Sequence, residues 1–393
     1  MNPYFLMVIL YLSLAVLSAL EASFSSLHIL PWFNGMKWLR IHLITLGALT
    51  ETFFWLLPVV TAVRAKLPRP SFRWDIWLTL NAGILLLLIG IPLVNAVPIF
   101  AGGALVFTAV VLLIAQLSGL RPEKTTSPVN AGRKFYLAGL SYFLLGILIG
   151  TGLWFGWNEA LGNKSPLEAH IHANNWGLMS LVFAGLLVDF YPKWAKRPLA
   201  NPRSITPIFW LMSIGAFGLV FGPWLGATYL LVPGLILHLV ATGWLLFNVI
   251  QPLRGDRAGW TTGMLHLVTS YFWLLAPVLV APLVLLHVPG IPGPTIEANA
   301  PQALIYGWVL QFGFAIVPYF FQRVFLPDEQ PILGGSRFSL AAVHVGGLLL
   351  WSSIFAAPAW KGPLFGLAYL LWTASMLPIV RDLWQMVAAG TKV

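Results

Sequence analysis

Twelve apolar segments follow one another along this chain, each close to the ~20 residues that a helix needs to cross a bilayer. They alternate with short connections that carry most of the charged residues. In a chain of 393 residues, twelve such segments leave no room for a sizeable soluble domain. The segments lie near residues 4–22, 38–61, 75–93, 97–117, 134–155, 169–191, 205–225, 228–250, 261–286, 302–323, 338–357 and 363–386.

The composition agrees with a chain that is mostly embedded in lipid. Hydrophobic residues make up 59% of the chain and charged residues only 9%, whereas soluble domains are about 25% charged. No cysteine is present, so disulfides and thiolate ligands are excluded. The first apolar run, from Tyr4 to Leu20, lacks a preceding basic region, so we expect a first span rather than a cleaved signal. We predict an all-α transmembrane fold of twelve helices in a single polytopic domain, residues 1–393.

The basic residues predict how the chain is oriented. With twelve spans, eighteen of the 22 lysines and arginines fall on the side of the N-terminus. The other four are Lys37, Arg40, Lys164 and Lys361. Because basic loops stay in the cytoplasm, we predict that both termini are cytoplasmic. The net charge of +10 is then a consequence of topology, and we expect no nucleic-acid partner.

Histidines are the main candidates for chemistry, because ionisable groups within membrane spans are costly and often functional. The segments place His42 near the outer end of helix 2, and His170 and His172 at the outer end of helix 6. His238 and His266 are expected near the middle of helices 8 and 9 and are candidates for a second site, for copper or another heme. Buried histidines bonded to backbone carbonyls or to Ser/Thr hydroxyls are the favoured interpretation of that pair. The remaining histidines have no predicted metal role: His344 near the inner end of helix 11, and His28 and His287 in outer loops or helix ends.

The spacing of His170 and His172 restricts what they can bind. Residues i and i+2 of a helix lie ~200° apart, so the two rings serve opposite faces of helix 6. Imidazole is the expected protein ligand for heme iron, copper or zinc when no cysteine is available. We expect metal or heme ligation here; simple capping near the membrane interface is the alternative.

Other polar residues within the spans have two possible roles. Glu51 is a mid-bilayer carboxylate on helix 2, and it is either a station for proton transfer or a protonated packing group. A further set of polar side chains either lines a polar pocket or joins helices by hydrogen bonds. These residues are Asn174, Asn175, Tyr306 and Gln311.

A weak internal repeat connects helices 2, 6 and 10. Helix 2 has His42 five residues before Gly47 and later Pro58, and helix 6 has His172 five residues before Gly177 and later Pro192. Helix 10 has no histidine, and its matching segment runs from Trp308 through Gly313 to Pro318. A recurrence every four helices suggests three pseudo-symmetric arcs of four, near residues 1–120, 130–252 and 258–390.

One stretch of about 25 residues resembles the His-x-His helix of the heme–copper oxidase catalytic subunit, especially its cbb3-type branch. The residues that carry this likeness are His170, His172, Gly177, Leu187, Tyr191, Pro192 and Lys193. That family has twelve helices in three arcs, with its hemes toward the outer side. In length and in its histidine-bearing helices the chain also resembles the NnrS-type, nitric-oxide-related membrane heme proteins of bacteria. This resemblance implies the inner membrane of a bacterium as the location.

The resemblance implies a b-type heme ligated by His42 and His170, with His172 as the substitute ligand. Arg40, together with Lys37 or Lys164, would pair with the heme propionates. The family's copper ligands on helix 7 are absent from 205–225. Helix 10 has Tyr306, Trp308 and Gln311 where the family has its own His-x-His. Copper stays possible only at the speculative second site, and the resemblance implies a relative that keeps heme without the full copper site.

We therefore expect a membrane heme protein that binds a diatomic gas such as nitric oxide, or that transfers electrons to a partner the sequence does not identify. If it is an enzyme, the resemblance implies a heme-dependent oxidoreductase acting on nitric oxide or oxygen. A twelve-helix secondary transporter is the first alternative, because prolines and glycines interrupt several spans. A structural subunit of a respiratory complex is the second.

Overall fold

The computed structural model describes residues 2–31, 36–120, 131–286 and 288–391. Arg121, Lys124 and Lys392, three of the basic residues in the orientation argument, and His287 lie outside these ranges. Within the described ranges the regular structure is entirely helical. The twelve long helices are α1 (Pro3–Ser26), α2 (Met36–Arg64), α3 (Trp74–Gly90), α4 (Ala96–Gly119), α5 (Ala131–Phe155), α6 (Pro166–Trp194), α7 (Ile205–Leu225), α8 (Thr228–Ile250), α9 (Thr262–Leu285), α10 (Gly293–Phe325), α11 (Arg337–Phe355) and α12 (Pro358–Gly390).

Eleven helices in the described part of the chain are long and apolar enough to cross a membrane, and α3 is a shorter apolar helix. The prediction of an all-α multi-pass membrane protein is confirmed at this level. Exposed leucines, valines and phenylalanines cover much of the helix surfaces, as expected for contact with lipid. The predicted orientation of the termini and the arrangement in three arcs stay predictions.

Helix ends differ most from the sequence prediction at α10. This helix begins at Gly293, nine residues before the predicted start, and includes Glu297 and Asn299. Polar residues in the first turns lower the local hydropathy, so a search for apolar runs omits them. Pro294 stands in the first turn of α10, where its missing N–H removes no helical hydrogen bond.

The chain divides into two compact units. The terminal unit comprises Met1–Thr52 and Asp256–Val393, and the central unit comprises Phe53–Gly255. In the terminal unit α1 packs on α12 and on the first part of α2, and α10 packs on α9 and α12. In the central unit each helix from α3 to α8 packs on the next along the chain. The single polytopic domain expected from the sequence stays a prediction.

Glycine allows the closest helix packing in the central unit. A Cβ atom added to Gly218 of α7 would lie less than 3 Å from the Cα of Gly234 on α8, so the two backbones touch. Small residues commonly permit such contacts between membrane helices, because van der Waals packing is the main attraction there. This contact fixes α7 against α8.

Three helices widen into a π-helical turn near their N-terminal ends. These turns are Leu43–Leu49 in α2, Ala173–Met179 in α6 and Leu304–Val309 in α10. Each contains a glycine, and the three glycines, Gly47, Gly177 and Gly307, are spaced 130 residues apart. Turns of this kind are rare and often occur at functional sites.

An aromatic ring covers each of these glycines within its own unit. Tyr11 of α1 lies on Gly47, and a Cβ atom there would come within 3 Å of the ring. In the same way Tyr142 of α5 lies on Gly177, and Trp273 of α9 on Gly307. The three aromatic residues are themselves 131 residues apart. The local repeat predicted for helices 2, 6 and 10 is therefore present as a recurring contact, but its glycine in α10 is Gly307, because Gly313 has open space around it.

Candidate metal-binding site

The predicted histidine ligands lie directly beside the π-helical turns. His42 is the residue before the turn of α2, and His172 is the residue before the turn of α6. Each stands five residues before the repeated glycine, and the matching residue in α10 is Gln302. His170 lies two residues earlier, at the position that Arg40 occupies in α2. The sequence alignment of these two helices is thus consistent with their structure.

The imidazole of His42 is held by the first turn of α2. Its Nδ1–H donates to the carbonyl oxygen of Trp38 over 2.8 Å, and its ring stacks on the indole of Trp38 with centroids 4.2 Å apart. Because residues i and i+4 share one face of a helix, this bond needs no other element of the fold. The ring of His42 is therefore oriented by its own helix.

His170 is oriented by glycines of α5. Its Nδ1–H donates to the carbonyl oxygen of Gly146 over 2.8 Å. A Cβ atom at Gly150 would overlap the imidazole, so the ring lies directly on the α5 backbone. The side chain of Asn174 fills the adjacent gap at Gly146 and donates to the carbonyl oxygen of His170 over 2.8 Å.

His172 points to a different neighbour. Its Nδ1–H donates to the carbonyl oxygen of Leu219 on α7 over 2.6 Å. His170 contacts α5 and His172 contacts α7, so the two rings serve opposite faces of α6, as their spacing predicts.

The same bonding pattern holds for all three imidazoles. A carbonyl oxygen can only accept, so each Nδ1 carries the proton and each Nε2 carries the lone pair. Histidines that ligate metals usually donate the other ring N–H to a carbonyl or carboxylate, which fixes the tautomer and the ring orientation. The donor chemistry at His42, His170 and His172 therefore fits axial ligation of a heme iron through Nε2.

Arg40 has a partner that the sequence did not reveal. Its guanidinium donates to the carboxylate of Glu21 on α1 over 2.7 Å, and Ser25 donates to the other carboxylate oxygen over 2.6 Å. The guanidinium also lies over the ring of Tyr369. The pairing of Arg40 with a heme propionate stays a prediction, and Glu21 already neutralises its charge. Lys37 and Lys164, the other cations predicted for that role, are exposed.

The residues of the speculative second site have separate surroundings. His238 lies in the central unit, where its ring nitrogens face the carbonyl oxygen of Trp176 at 3.2 Å and the hydroxyl of Thr242 at 3.3 Å. His266 lies in the terminal unit, where its Nε2–H donates to the carbonyl oxygen of Ser336 over 3.0 Å. These contacts match the structural alternative, and a metal at this pair stays a prediction.

The expected depth of His266 is wrong. It is the fifth residue of α9, one turn inside the helix, whereas His238 is near the middle of α8. The predicted span of 261–286 agrees with the helix start at Thr262, so the error lies in the depth assigned to His266 within that span and not in the span itself. The two histidines therefore lie at different positions along their helices.

His344 belongs to a buried hydrogen-bond network of the terminal unit. The indole N–H of Trp273 donates to Nδ1 of His344 over 3.1 Å, so Nε2 carries the proton. Nε2–H then faces the Thr269 hydroxyl at 3.0 Å and the side-chain amide of Gln311 at 3.2 Å. Turning that amide over would place its oxygen as the acceptor of His344. The predicted structural role of His344 agrees with this arrangement.

The other polar residues of the spans join helices or follow their own helix. Tyr306 donates from its hydroxyl to the carbonyl oxygen of Arg40 over 3.3 Å and stacks on Trp372. Asn175 donates to the carbonyl oxygen of Ile171 one turn earlier. Glu51 is fully buried in α2. Its role in proton transfer stays a prediction.

Within the described ranges, no three histidine or carboxylate side chains converge as a metal-binding group. A heme needs only one or two axial imidazoles, whereas copper or zinc usually takes three or more protein ligands. Copper at the speculative second site stays a prediction, and the outer histidines include the one or two imidazoles that a heme needs.

Comparison with known proteins adds no family. No protein-family model matches the chain, and no curated protein matches it significantly.

Proposed function

We propose that this protein is a membrane b-type heme protein that binds a diatomic gas such as nitric oxide or transfers electrons. His42, His170 and His172 supply the axial imidazoles. His42 belongs to the terminal unit and His170 to the central unit, and their pairing on one heme stays a prediction.

The observation that supports this proposal best is the tautomer that the three imidazoles share. Each Nδ1–H is bound to a backbone carbonyl at 2.6–2.8 Å, so each Nε2 keeps its lone pair. The hydrogen bond to the backbone carbonyl fixes the tautomer and the orientation of each ring, as is usual for histidines that ligate metals.

The π-helical turns are a second support. His42 and His172 are each the residue immediately before such a turn, where the helix widens by one residue. The resemblance to heme–copper oxidases rests on the same part of α6.

A bound heme would supply an iron centre that accepts one electron or a small gas molecule. The protein residues would hold and orient it: the imidazoles through Nε2, and Lys37 and Lys164 as exposed cations for the propionates. The apolar helix faces would exclude water from the iron. We propose no catalytic step.

Absorption spectroscopy of detergent-purified protein tests the proposal. Protein from heme-replete cells should be red with a Soret band, and His170→Ala or His42→Ala should lose most of it. His28→Asn is the matched control, because His28 is exposed and adopts a positive φ of 60°, which asparagine tolerates. Colourless parental protein, or full heme retention in His42→Ala, His170→Ala and His172→Ala alike, would contradict the proposal.

Adding nitric oxide to the reduced protein tests gas binding. A rapid band shift supports a five-coordinate iron with an open position. Because a bis-histidine iron must first release a ligand, a slow shift or none favours electron transfer.

The transporter alternative is less favoured by one feature of the helices. The contact of an aromatic ring with a π-turn glycine occurs three times, at Gly47, Gly177 and Gly307. Transporters built from repeats commonly have two related halves, and three copies do not divide into two.

A further inference from the structure

Basic residues gather at one end of the central unit. They lie at the C-terminal ends of α2, α6 and α8 and at the N-terminal ends of α3, α5 and α7. The described basic residues of this end are Arg64, Lys66, Arg69, Arg73, Arg133, Lys134, Lys193, Lys196, Arg197, Arg203 and Arg254. We call this surface the basic end.

Contacts within the central unit bring these helix ends together. Arg64 at the end of α2 forms an ion pair with Asp189 of α6 at 3.3 Å, and Tyr136 of α5 donates to the same carboxylate over 2.7 Å. Lys134 of α5 donates to Thr206 of α7 over 3.0 Å. The ends of α2, α5, α6 and α7 therefore lie side by side.

The loop after α6 extends the same surface to α8. Arg197 donates from its guanidinium to the carbonyl oxygen of Pro252 over 2.7 Å, and the backbone N–H of Asn201 donates to the side chain of Asn248 over 2.6 Å. The segment that carries Lys196 and Arg203 is thus tied to the end of α8.

Acidic residues do not balance this charge. The basic end contains two described carboxylates, and each is paired with a cation of the same end: Asp189 is buried against Arg64 and Tyr136, and the exposed Asp75 is bound by Arg73 at 2.7 Å. In the terminal unit the corresponding loops and helix ends hold four described basic residues and four acidic ones. These are Arg257, Arg323, Arg337 and Arg381, with Asp256, Asp328, Glu329 and Asp382. Among the described residues, the excess of basic over acidic side chains is therefore concentrated on the central unit.

Two lysines of the basic end occupy repeated and unusual positions. Ala65-Lys66-Leu67-Pro68 follows α2 and Ala195-Lys196-Arg197-Pro198 follows α6, so the pattern Ala-Lys-x-Pro recurs after 130 residues. Lys66 and Lys196 have φ angles of 58° and 53°, in the left-handed region where glycine is the usual residue after a helix. At Lys66 the C-cap is complete, because the N–H of Leu67 donates to the carbonyl oxygen of Ala62 over 2.9 Å. Both side chains are exposed.

Glycine would fit the backbone better at both positions, so the fold alone gives no reason for lysine. An exposed ammonium at the end of each helix is favourable to the helix dipole, yet that effect is small at the surface. A ligand with negative charge would explain why lysine stands at both.

Exposed aromatic rings place the basic end at a membrane surface. Trp74, at the start of α3, and Trp210, in the second turn of α7, are 59% and 57% exposed. Tryptophan side chains are enriched where lipid headgroups meet the hydrocarbon. Basic clusters at this depth, between helix ends, bind anionic lipid headgroups.

We propose that the basic end of the central unit binds the phosphate headgroup of an anionic phospholipid, with Lys66 and Lys196 as two of its ligands. The recognised chemistry is a phosphodiester held by ammonium and guanidinium groups. The lipid is favoured over a soluble anion because the exposed tryptophans beside the cluster would contact acyl chains.

Native mass spectrometry of the full chain, titrated with phosphatidylglycerol or phosphatidylcholine, tests the proposal. The parental protein should bind phosphatidylglycerol more tightly. In Lys66→Gly/Lys196→Gly the preference should fall about tenfold or more, since each cation near a lipid surface contributes roughly fivefold. Because glycine suits both φ angles, this variant should fold and melt at or above the parental temperature.

Two controls separate the outcomes. Arg337→Gln/Arg381→Gln removes the same charge from the terminal unit and should keep the preference. Lys66→Gln/Lys196→Gln should lose it, as the glycine variant does. Equal binding of the two lipids by the parental protein, or an unchanged preference in both lysine variants, would overturn the proposal. So would displacement of phosphatidylglycerol by millimolar inorganic phosphate, which would identify a soluble anion as the ligand.

Discussion

The guanidinium of Arg40 on α2 donates a 2.7 Å hydrogen bond to the carboxylate of Glu21 on α1. The side chain of Arg40 is 2% exposed and that of Glu21 is 13% exposed. Two opposite charges are therefore held together away from water, two residues before the candidate ligand His42. The pair connects the start of α2 to α1 and so anchors the part of the helix that precedes the π-helical turn.

Removing one partner of this pair should be costly. In Glu21→Ala the cation of Arg40 stays buried without its carboxylate, and we expect the unfolding free energy to fall by about 3–5 kcal/mol. Denaturant titration in detergent measures the change. The double variant Glu21→Leu/Arg40→Met should recover most of the loss, because apolar residues of similar size pack well in the same space. A loss below about 1 kcal/mol in Glu21→Ala would show that the pair is not important for stability.

A glycine of the repeat and a glycine outside it should tolerate substitution differently. Gly177→Ala places a methyl group against the ring of Tyr142, and we expect a loss of about 1–3 kcal/mol from overpacking. Gly313→Ala is the matched control on α10, since no atom lies within 4 Å of an added Cβ there. That change should stabilise the helix by up to about 1 kcal/mol. Equal melting temperatures for the two variants would contradict the contact.

Replacing His238 should lower the stability of the protein and leave its heme content unchanged. Both of its ring nitrogens face partners inside the central unit, Trp176 and Thr242. We expect His238→Ala to lower the unfolding free energy by about 2 kcal/mol or more, through lost hydrogen bonds and a cavity. Its heme content should equal that of the parental protein. Loss of heme or of a bound metal in this variant would instead support the second site with His266.

The hydrogen bonds donated by two tyrosine hydroxyls should contribute differently to the unfolding free energy. Tyr136 donates to the carboxylate of Asp189 over 2.7 Å, whereas Tyr142 donates to the backbone carbonyl of Ser213 over 2.8 Å. A hydrogen bond to a charged group contributes more, so Tyr136→Phe should cost about 1.5–3 kcal/mol and Tyr142→Phe about 1 kcal/mol. Unfolding of both variants in the same detergent gives the comparison. Equal costs would mean that Asp189 is protonated in the folded protein, because both hydrogen bonds would then be neutral.

Much of the architecture followed from the chain alone because membrane helices are local structures. In lipid every backbone polar group must be bonded within its own segment, so an apolar run of sufficient length implies a helix. All twelve segments correspond to helices, including α3, whose 17 residues are the shortest. The start of α10 at Gly293 was missed because its first turns are polar.

The candidate site was predictable in part for the same reason. His42, His170 and His172 are separated by fixed angles on helices, so their opposite faces could be inferred from spacing. The repeat was visible in the sequence, but its third glycine was assigned to Gly313. The structure shows that it is Gly307. The ring that contacts this glycine belongs to Trp273 on another helix, so the sequence around Gly307 gives no sign of the contact.

Sequence alone determined the helices, their number and which of them carry histidine, since these depend on apolar length and on the 3.6-residue period. Only the tertiary structure decided which atoms meet. The bond of His170 to Gly146, that of His172 to Leu219 and the pairing of Arg40 with Glu21 join residues that are 24, 47 and 19 positions apart. Such contacts depend on how each helix is rotated and on how closely glycines let it approach its neighbours, and hydropathy carries no record of either.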